Sequence, residues 1–176
     1  MADVGIPPVG FVGVGVGCGN VAVVFVLAAA TWELGVIAVH ALVAAMMAGL
    51  IWTMQVVHYP LFARISAADA ETYQRDHMRR ITQLVGPLMV VQGVLVWVLF
   101  LAPPDGVERW LVTASGLAQA LALGWTAAYF APLHGRLADE GYSAAAVRRL
   151  VQANWIRTIA WTTSAATAVA IAFTVD

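Results

Sequence analysis

Four long apolar stretches limit how this chain can fold. They cover residues 35–59, 81–102, 109–131 and 151–174, and each approaches or exceeds the roughly 20 apolar residues that a helix needs to cross a bilayer. Of the 176 residues, 61 % are apolar and 11 % are charged, whereas soluble domains carry about 25 % charged residues. With so few charges the chain could not cover a surface that faces water. The sequence therefore predicts an all-α fold, an integral membrane four-helix bundle over residues 35–176.

Residues 1–34 form a glycine-rich apolar segment that precedes the predicted bundle. It contains the run FVGVGVGCGN, and glycine costs about 1 kcal/mol per residue against alanine inside a helix. The segment also lacks the positive charges that begin a signal peptide. A fifth span over residues 9–30, an interfacial lead-in and an irregular extension are all open interpretations. Among them we favour a helix over residues 21–30.

Charge and cysteine content exclude several classes of protein. The formal net charge is −1 and the nine basic residues are all arginine, so a strongly basic nucleic-acid face is not expected. Cys18 is the single cysteine, which rules out an internal disulfide and a metal site built from cysteine alone. The sequence also lacks the phosphate-binding P-loop, the dinucleotide-binding glycine motif and HExxH.

The arginines predict an orientation in the membrane. Residues 60–80 and 132–150 hold seven of them, whereas the connection on the opposite side holds only Arg109. Positive residues concentrate on the cytoplasmic side of membrane proteins. Both longer connections are therefore predicted to be cytoplasmic, in a multi-pass protein of the inner (plasma) membrane.

Local signals predict where helices begin and end. Pro60 is expected to end the first span, because proline cannot donate the backbone hydrogen bond of a continuing helix. Ser66, followed three residues later by Asp69, has the pattern of a hydroxyl cap that opens a helix into the second span. Ser143 is expected to cap the helix that leads into the fourth span.

Polar residues inside or beside the predicted spans collect at the cytoplasmic edge. Such residues are costly in lipid and usually face the interior of a bundle. Every predicted span contributes to this layer if the polar helix that carries Tyr73 and His77 is counted as the lead-in to the second span, so we expect the layer to form a polar pocket. The layer consists of Gln55, His58, Tyr59, Tyr73, His77, Thr126, Tyr129, His134, Asn154, Arg157 and Thr158.

The histidines of this layer, His58, His77 and His134, admit three interpretations. Imidazole is a ligand for copper, iron or zinc, and three histidines would leave one coordination position open for catalysis. Hydrogen bonding without a metal is the second interpretation, and a proton relay with the tyrosines is the third. The three residues are far apart in sequence, so their spacing favours none of these.

Arg157 lies about two turns into the apolar part of its helix, where an arginine costs several kcal/mol unless it is paired or hydrated. No acidic residue lies inside the four predicted spans. Arg157 therefore either reaches toward the headgroups or binds negative charge on a substrate. On the second interpretation Arg157, Asn154, Tyr73 and Tyr59 are candidate catalytic residues, and Gln55 is a candidate cofactor-binding residue.

A second, thinner polar layer lies near the middle of the membrane. Gln92 and Gln119 are at similar depth on neighbouring helices, so we expect them to hydrogen-bond to each other. His40 lies near the outer end of the first span, and we expect it to form a hydrogen bond between helices.

Two motifs in the second half of the chain carry a family resemblance. The run TAAYFAPLHGRL at residues 126–137, followed by NWIRT at residues 154–158 and by Trp161, resembles the C-terminal signature of the anthrone-oxygenase-like family of small four-span membrane proteins. The run WTMQVVHYPLF of the first span is similar in style to a bacterial branch near that family. The resemblance covers about residues 35–174. It implies a four-helix bundle and the oxidation of a small lipophilic aromatic such as an anthrone, although that family often has asparagine where this chain has His134.

Two functions from different classes follow. The first is a membrane oxidoreductase or oxygenase with copper, iron or zinc as its cofactor and a lipophilic aromatic or quinol-like substrate. The alternative is a non-enzymatic bundle, such as a small transport, lipid-binding or scaffold subunit, whose polar layer is structural. On either interpretation the expected partners are the lipid bilayer and a small lipophilic molecule, not nucleic acid.

Overall fold

Helices make up all the regular structure in residues 18–174, the part of the chain that the computed structural model describes. The first helix covers residues 21–30, so the helix expected there is confirmed, while the predictions for residues 1–17 lie outside the described residues. The elements are α1 (Cys18–Thr53), a first π turn (Met54–His58), α2 (Tyr59–Leu61), a 3₁₀ turn (Phe62–Arg64), α3 (Ala70–Leu101), α4 (Arg109–Trp125), a second π turn (Thr126–Phe130), α5 (Ala131–Glu140) and α6 (Ala144–Ala172).

Three helical segments are long and apolar enough to cross a membrane, judged by length and composition: Trp32–Arg64, Ala70–Leu101 and Arg109–Glu140. The predicted fourth span, residues 151–174, is also helical as part of α6, but it is not among them. Its middle carries Arg157 and several threonines, which lower its hydropathy. The all-α class is confirmed. The helices of the described residues therefore form four rods: the first runs from α1 to Arg64, the second is α3, the third runs from α4 through α5, and the fourth is α6. The first three contain the apolar segments, and the fourth is apolar only in part.

The core is layered along the bundle, and the helical stretch from α1 to Arg64 shows the order of the layers. Ile37 belongs to an apolar cluster with residues of α3, α4 and α6, and Ile51 belongs to a second one with residues of α4 and α6. Tyr59 belongs to a third cluster, which residues of α5 and α6 complete. Buried His40 lies between the first two clusters in the sequence of this rod, and buried Gln55 lies between the last two. Polar and apolar layers therefore alternate from one end to the other.

Prolines follow both π turns at the same distance. Pro60 lies two residues after the first π turn, and Pro132 lies two residues after the second. A proline ring clashes with the carbonyl four residues back in a regular α-helix, and a widened turn relieves that clash. The chain stays helical through Pro60 as far as Arg64, so the prediction that Pro60 ends the helix is wrong. The extra residue of the first π turn also changes the register of His58 relative to α1.

The two serine signals have different outcomes. Ser143 is the N-cap of α6, and its hydroxyl accepts a hydrogen bond from the backbone N–H of Ala146 at 3.2 Å, as expected. Ser66 does not cap a helix, because α3 begins at Ala70 and its N-cap is Asp69. The Ser66 hydroxyl instead closes a turn, with Asp69 Oδ2 at 2.6 Å. The chain divides into two units between Glu33 and Leu34, and the features below all lie in the second unit.

Candidate functional site

Side chains from the end of the first rod, from α3, α5 and α6 meet at one end of the bundle around Phe62. Phe62 is fully buried. The rings of His58, Tyr73 and His77 have their centres 5.0, 5.6 and 5.4 Å from the centre of its ring. The polar layer that the sequence predicts is thus assembled around an aromatic residue that the sequence analysis did not single out. The members of this layer form a buried network, a histidine–glutamine pair and part of the wall of a cleft.

The buried network joins the first π turn to α6. Asn154 Nδ2 donates to Gln55 Oε1 at 2.8 Å, and the Thr158 hydroxyl donates to the same oxygen at 3.3 Å. Gln55 Nε2 in turn donates to the backbone carbonyl of Val151 at 3.1 Å. Gln55, Asn154 and Thr158 are between 0 % and 3 % exposed. Their polar groups bond to one another, so this part of the layer holds two helices together.

Arg157 lies beside this network as a buried cation. Its Nη1 is 3.3 Å from Asn154 Oδ1 and 3.5 Å from the Tyr59 hydroxyl, and its guanidinium lies 4.4 Å from the centre of the Phe130 ring. The ion pairs found within residues 18–174 are Arg75–Glu71 and Arg79–Asp76, both on the surface, so Arg157 has neutral neighbours. The position over the Phe130 ring gives Arg157 a cation–π contact in place of a carboxylate.

His134 is held by Gln74, a buried residue of α3 that the sequence analysis missed. Gln74 Nε2 lies 3.3 Å from the backbone carbonyl of His134 and 2.6 Å from His134 Nδ1. A carbonyl only accepts hydrogen bonds, so the group facing it is the amide NH₂, which also donates to Nδ1. Nδ1 of His134 therefore carries no proton, and the proton of this imidazole is on Nε2.

Tyr142 completes this arrangement by donating its hydroxyl proton to Gln74 Oε1. Burial, with a smaller contribution from the neighbouring Tyr73, raises the pKa of Tyr142 well above its ordinary value, which keeps the hydroxyl protonated as a donor. Gln74 thus uses both protons of its amide and its oxygen. A glutamine that precedes His77 by three residues on the same helix face was the available signal for this contact.

His58 and His77 form a second pair. His58 Nε2 and His77 Nδ1 are 3.0 Å apart, so one of these nitrogens donates to the other. His77 Nε2 is buried and has no partner among the described residues. It belongs to a ring whose centre lies 6.3 Å from that of Tyr59 and 5.7 Å from that of His134. Both histidines are half-buried and line one cleft, so the pair links that cleft to a buried nitrogen, His77 Nε2.

These bonds do not fit a three-histidine metal centre. His134 Nδ1 accepts from Gln74 and its Nε2 is protonated, so neither nitrogen offers a lone pair to a metal ion. The nitrogens of His58 and His77 that face each other are engaged in one hydrogen bond. Among the residues that the structure describes, no three His, Cys, Asp or Glu side chains form a group that could hold a metal ion. The prediction of a copper, iron or zinc site at His58, His77 and His134 is not confirmed.

A cleft of about 560 Å³ lies against one face of α3 and the first π turn. One row of α3 side chains, four residues apart, follows it from Thr72 to Leu84, over about 18 Å of helix at 1.5 Å per residue. The polar part of its wall contains His58, Tyr73 and His77, and the apolar part is on the side of Leu84. The cleft is lined by Met54, His58, Asp69, Thr72, Tyr73, Asp76, His77, Arg80, Ile81 and Leu84.

Two predicted members of the layer take no part in these groups. The Thr126 hydroxyl donates to the backbone carbonyl of Ala122 at 2.7 Å, within its own helix. Tyr129 stacks on Trp125 with ring centres 4.8 Å apart. Asp69, Asp76 and Arg80, which line the cleft, were not predicted as site residues, because charged residues beside a span also occur on any solvated face.

The middle polar layer is present in a different form from the expected one. Gln92 and Gln119 do not bond to each other; both donate to the Ser164 hydroxyl, at 3.0 and 3.2 Å. His40 forms the expected bond between helices, with Ser115 Oγ 3.3 Å from its Nε2. The expected glutamine pair is wrong because serine hydroxyls, which the sequence analysis did not consider, lie between the two amides.

Comparisons with protein-family models, with curated proteins and with solved structures find no match. The resemblance to the anthrone-oxygenase-like family therefore stays a prediction that rests on the two sequence motifs.

Proposed function

We propose that this chain is an integral protein of the plasma membrane that binds a small lipophilic molecule with a phenolic or quinol-like hydroxyl in the cleft beside α3. The observation that carries the proposal is the hydrogen-bonded pair His58–His77 in the wall of that cleft. Both rings of this pair line the cleft, and the Nε2 atom of His77 is buried.

The lining of the cleft supports this class of ligand. Met54, Ile81 and Leu84 offer an apolar surface, whereas Asp76 and Arg80 place charge at the other part of the lining. Binding sites for small molecules are mainly apolar with a few polar groups that fix orientation. A molecule with an apolar body and a hydroxyl would place its body among the aliphatic side chains and its hydroxyl at the histidines.

The histidine pair supports proton exchange with such a ligand. A neutral imidazole has one nitrogen that donates and one that accepts, so His58 can accept a proton from a hydroxyl while its other nitrogen passes one to His77. A proton lost from a phenol or quinol leaves an electron-rich anion that is easier to oxidise. Oxidation of the ligand, the activity that the family resemblance implies, additionally requires an external electron acceptor such as dioxygen.

Binding is tested by titrating the detergent-purified protein with an alkyl-substituted hydroquinone. We expect His58→Ala and His77→Ala to weaken binding about tenfold, since a lost hydrogen bond to a ligand at such a site is worth about 1.4 kcal/mol. Gln152→Ala, a change at an exposed polar residue of α6 that does not line the cleft, is the matched control. Equal affinity of the wild type and both histidine variants would contradict the proposal.

Turnover is tested separately by measuring dioxygen uptake with the same hydroquinone and with an anthrone. Uptake that depends on His58 would support an oxidase or oxygenase. Binding that depends on His58 without uptake would support the non-enzymatic function instead, a lipid-binding or transport subunit. The side chains of Gln55, Asn154 and Thr158 hydrogen-bond to one another inside the protein. For this part of the polar layer they favour the non-enzymatic function, in which the layer is structural.

A further inference from the structure

The cleft beside α3 carries three charged side chains, Asp69, Asp76 and Arg80, which are all exposed. The proposed function uses the histidines and the aliphatic side chains of the cleft and assigns no role to these charges. A charge that is already bonded within the protein contributes less to ligand binding than one that is not. The partners of the three charges therefore indicate what kind of ligand the cleft prefers.

Both carboxylates of the lining have a partner in the protein. Asp69 Oδ2 accepts a hydrogen bond from the Ser66 hydroxyl at 2.6 Å, in the turn before α3. Asp76 Oδ1 accepts a hydrogen bond from Arg79 Nη2 at 3.1 Å, and the two side chains form an ion pair. Arg79 is not part of the cleft lining, but its positive charge offsets the negative charge of Asp76.

Arg80 is the charged residue of the lining that no carboxylate neutralises. The ion pairs found within residues 18–174 are Arg75–Glu71 and Arg79–Asp76, and neither includes Arg80. Asp76 and Arg80 are four residues apart, a spacing that allows an ion pair on a helix, but the carboxylate of Asp76 is bonded to Arg79 instead. The guanidinium of Arg80 is therefore available to an anionic group in the cleft.

Arg80 and His77 are neighbours on the face of α3 that lines the cleft. They are three residues apart, a spacing that places Cβ atoms about 5–6 Å from each other on a helix. Long helical side chains point back toward the N-terminus and cover the turn before their own Cα. The side chain of Arg80 thus extends over the turn that carries His77. A second substituent on a ring whose hydroxyl is bound at His77 is within reach of the guanidinium.

The apolar part of the cleft continues beyond Arg80. Ile81 and Leu84 follow Arg80 along α3, and Met54 belongs to the first π turn. Along the cleft the order is therefore histidines, arginine and aliphatic side chains. A guanidinium binds a planar carboxylate through two parallel hydrogen bonds, which gives such a contact geometric specificity.

We infer, on the basis of the proposed function, that the preferred ligand of the cleft is a phenol or quinol that carries a ring carboxylate and an apolar tail. The hydroxyl bonds to the His58–His77 pair, and the carboxylate accepts hydrogen bonds from the Arg80 guanidinium. The tail lies against Ile81 and Leu84. Arg80 is thus a residue that determines specificity, because it distinguishes anionic from neutral phenols.

Two ligands that differ only in the carboxylate test this assignment. They are an alkylhydroquinone and the same molecule with one carboxylate on its ring, each titrated into the purified protein in a neutral detergent. We expect the wild type to bind the carboxylated ligand about fivefold more tightly, the upper range for an exposed ion pair. Arg80→Gln should remove this preference. Arg149→Gln, at an exposed position of α6 that does not line the cleft, is the control with the same loss of charge and should keep it.

The ratio of the two affinities separates this assignment from the proposed function. Equal affinities in the wild type, or a preference that persists in Arg80→Gln, would overturn the role of Arg80 while binding of the hydroquinone at the histidines stands. Absence of binding for both ligands would overturn the proposed function and the role of Arg80 with it.

Lipid headgroups are the other source of anionic oxygens at a membrane surface, so the titrations are repeated with phosphatidylglycerol added to the detergent. We expect the preference for the carboxylated ligand to persist, because the carboxylate is held in place by the hydroxyl bound at the histidines. Loss of the preference on addition of the lipid would assign Arg80 to headgroup phosphates and overturn the inference.

Discussion

At the scale of single residues, Gln74 does more than any predicted site residue to determine the chemistry of the histidines. Its amide donates to both the ring and the backbone of His134, and its oxygen accepts from Tyr142. This saturation places the proton of the neutral His134 ring on Nε2. His58 and His77 have no such amide, so they are left as the pair that can exchange protons.

Substitution of His134 tests this role. In His134→Asn the side-chain oxygen can accept from the Gln74 amide as Nδ1 does now, whereas in His134→Leu one amide proton of Gln74 remains buried without a partner. An unsatisfied buried donor costs about 1–3 kcal/mol. We expect His134→Leu to lower the free energy of unfolding in detergent by that amount and His134→Asn to lower it by less. Equal losses in the two variants would mean that the hydrogen bond contributes little.

Arg157 allows a second test at this scale. The guanidinium lies over the Phe130 ring and also reaches Tyr59 and Asn154, whereas the ammonium group of lysine is a compact point charge without the planar fork of arginine. We expect Arg157→Lys to lower the thermal midpoint of unfolding by an amount that corresponds to roughly 1–2 kcal/mol. Arg148→Lys, at an exposed position of the same helix, is the control and should leave the midpoint unchanged.

At the scale of elements, the π turns determine where the site residues point. A Trp-Thr pair lies at the start of each π turn, and a Pro-Leu pair begins two residues after its end. The tryptophan and proline are Trp52 and Pro60 for the first turn, and Trp125 and Pro132 for the second. The repeated pattern was a signal in the sequence for these turns. A proline near the end of an apolar run usually indicates the end of a helix, and the widened turn is what makes continuation feasible here.

Pro60→Ala tests the connection between the first π turn and the cleft. Without the proline ring the helix can return to regular α geometry, which turns His58 by about 100° around the axis for the one residue of register. We expect the hydroquinone affinity to fall to the level of His58→Ala, while the free energy of unfolding does not fall. Pro87→Ala, inside α3 and not lining the cleft, should keep the affinity. Unchanged affinity in Pro60→Ala would show that the turn does not depend on the proline.

We expect α6 to depend on the other helices for insertion into a membrane, because it is not among the three segments that are apolar enough to span one alone. Its polar residues are the centre of both buried networks: Asn154, Arg157 and Thr158 in one, and Ser164 in the other. An arginine in a spanning helix raises the apparent cost of membrane insertion, by up to about 2.5–3.5 kcal/mol at the helix centre and by less near its end. We therefore expect residues 144–172 alone to insert poorly in a glycosylation reporter, and Arg157→Leu to restore insertion. Efficient insertion of the isolated wild-type segment would contradict this expectation.

At the scale of the whole molecule, the sequence was sufficient for the helical class and for most of the helices. The length and the spacing of the apolar stretches determine the helices, because a helix satisfies its backbone hydrogen bonds within its own segment. The site was less predictable: His58, Tyr73 and His77 do meet, but they do so around the ring of Phe62. The bond between Gln74 and His134 joins helices that are far apart in sequence. The tautomer of His134 and the serine bridge between Gln92 and Gln119 depend on side-chain geometry, which periodicity does not contain.

The orientation of the whole bundle can be tested by labelling introduced cysteines, because Cys18 is the only cysteine of the chain. With Cys18 replaced by alanine, cysteines are introduced one at a time at Ser66, Ser143 and Asp105, all in connections between helices. The arginine-rich connections should be cytoplasmic, because positive side chains are retained on that side during insertion. In intact cells we expect a membrane-impermeant thiol reagent to label Asp105→Cys alone, and to label Ser66→Cys and Ser143→Cys only after permeabilisation. The reverse pattern would place the cleft at the outer surface, and labelling of all three sites in intact cells would contradict membrane insertion of the bundle.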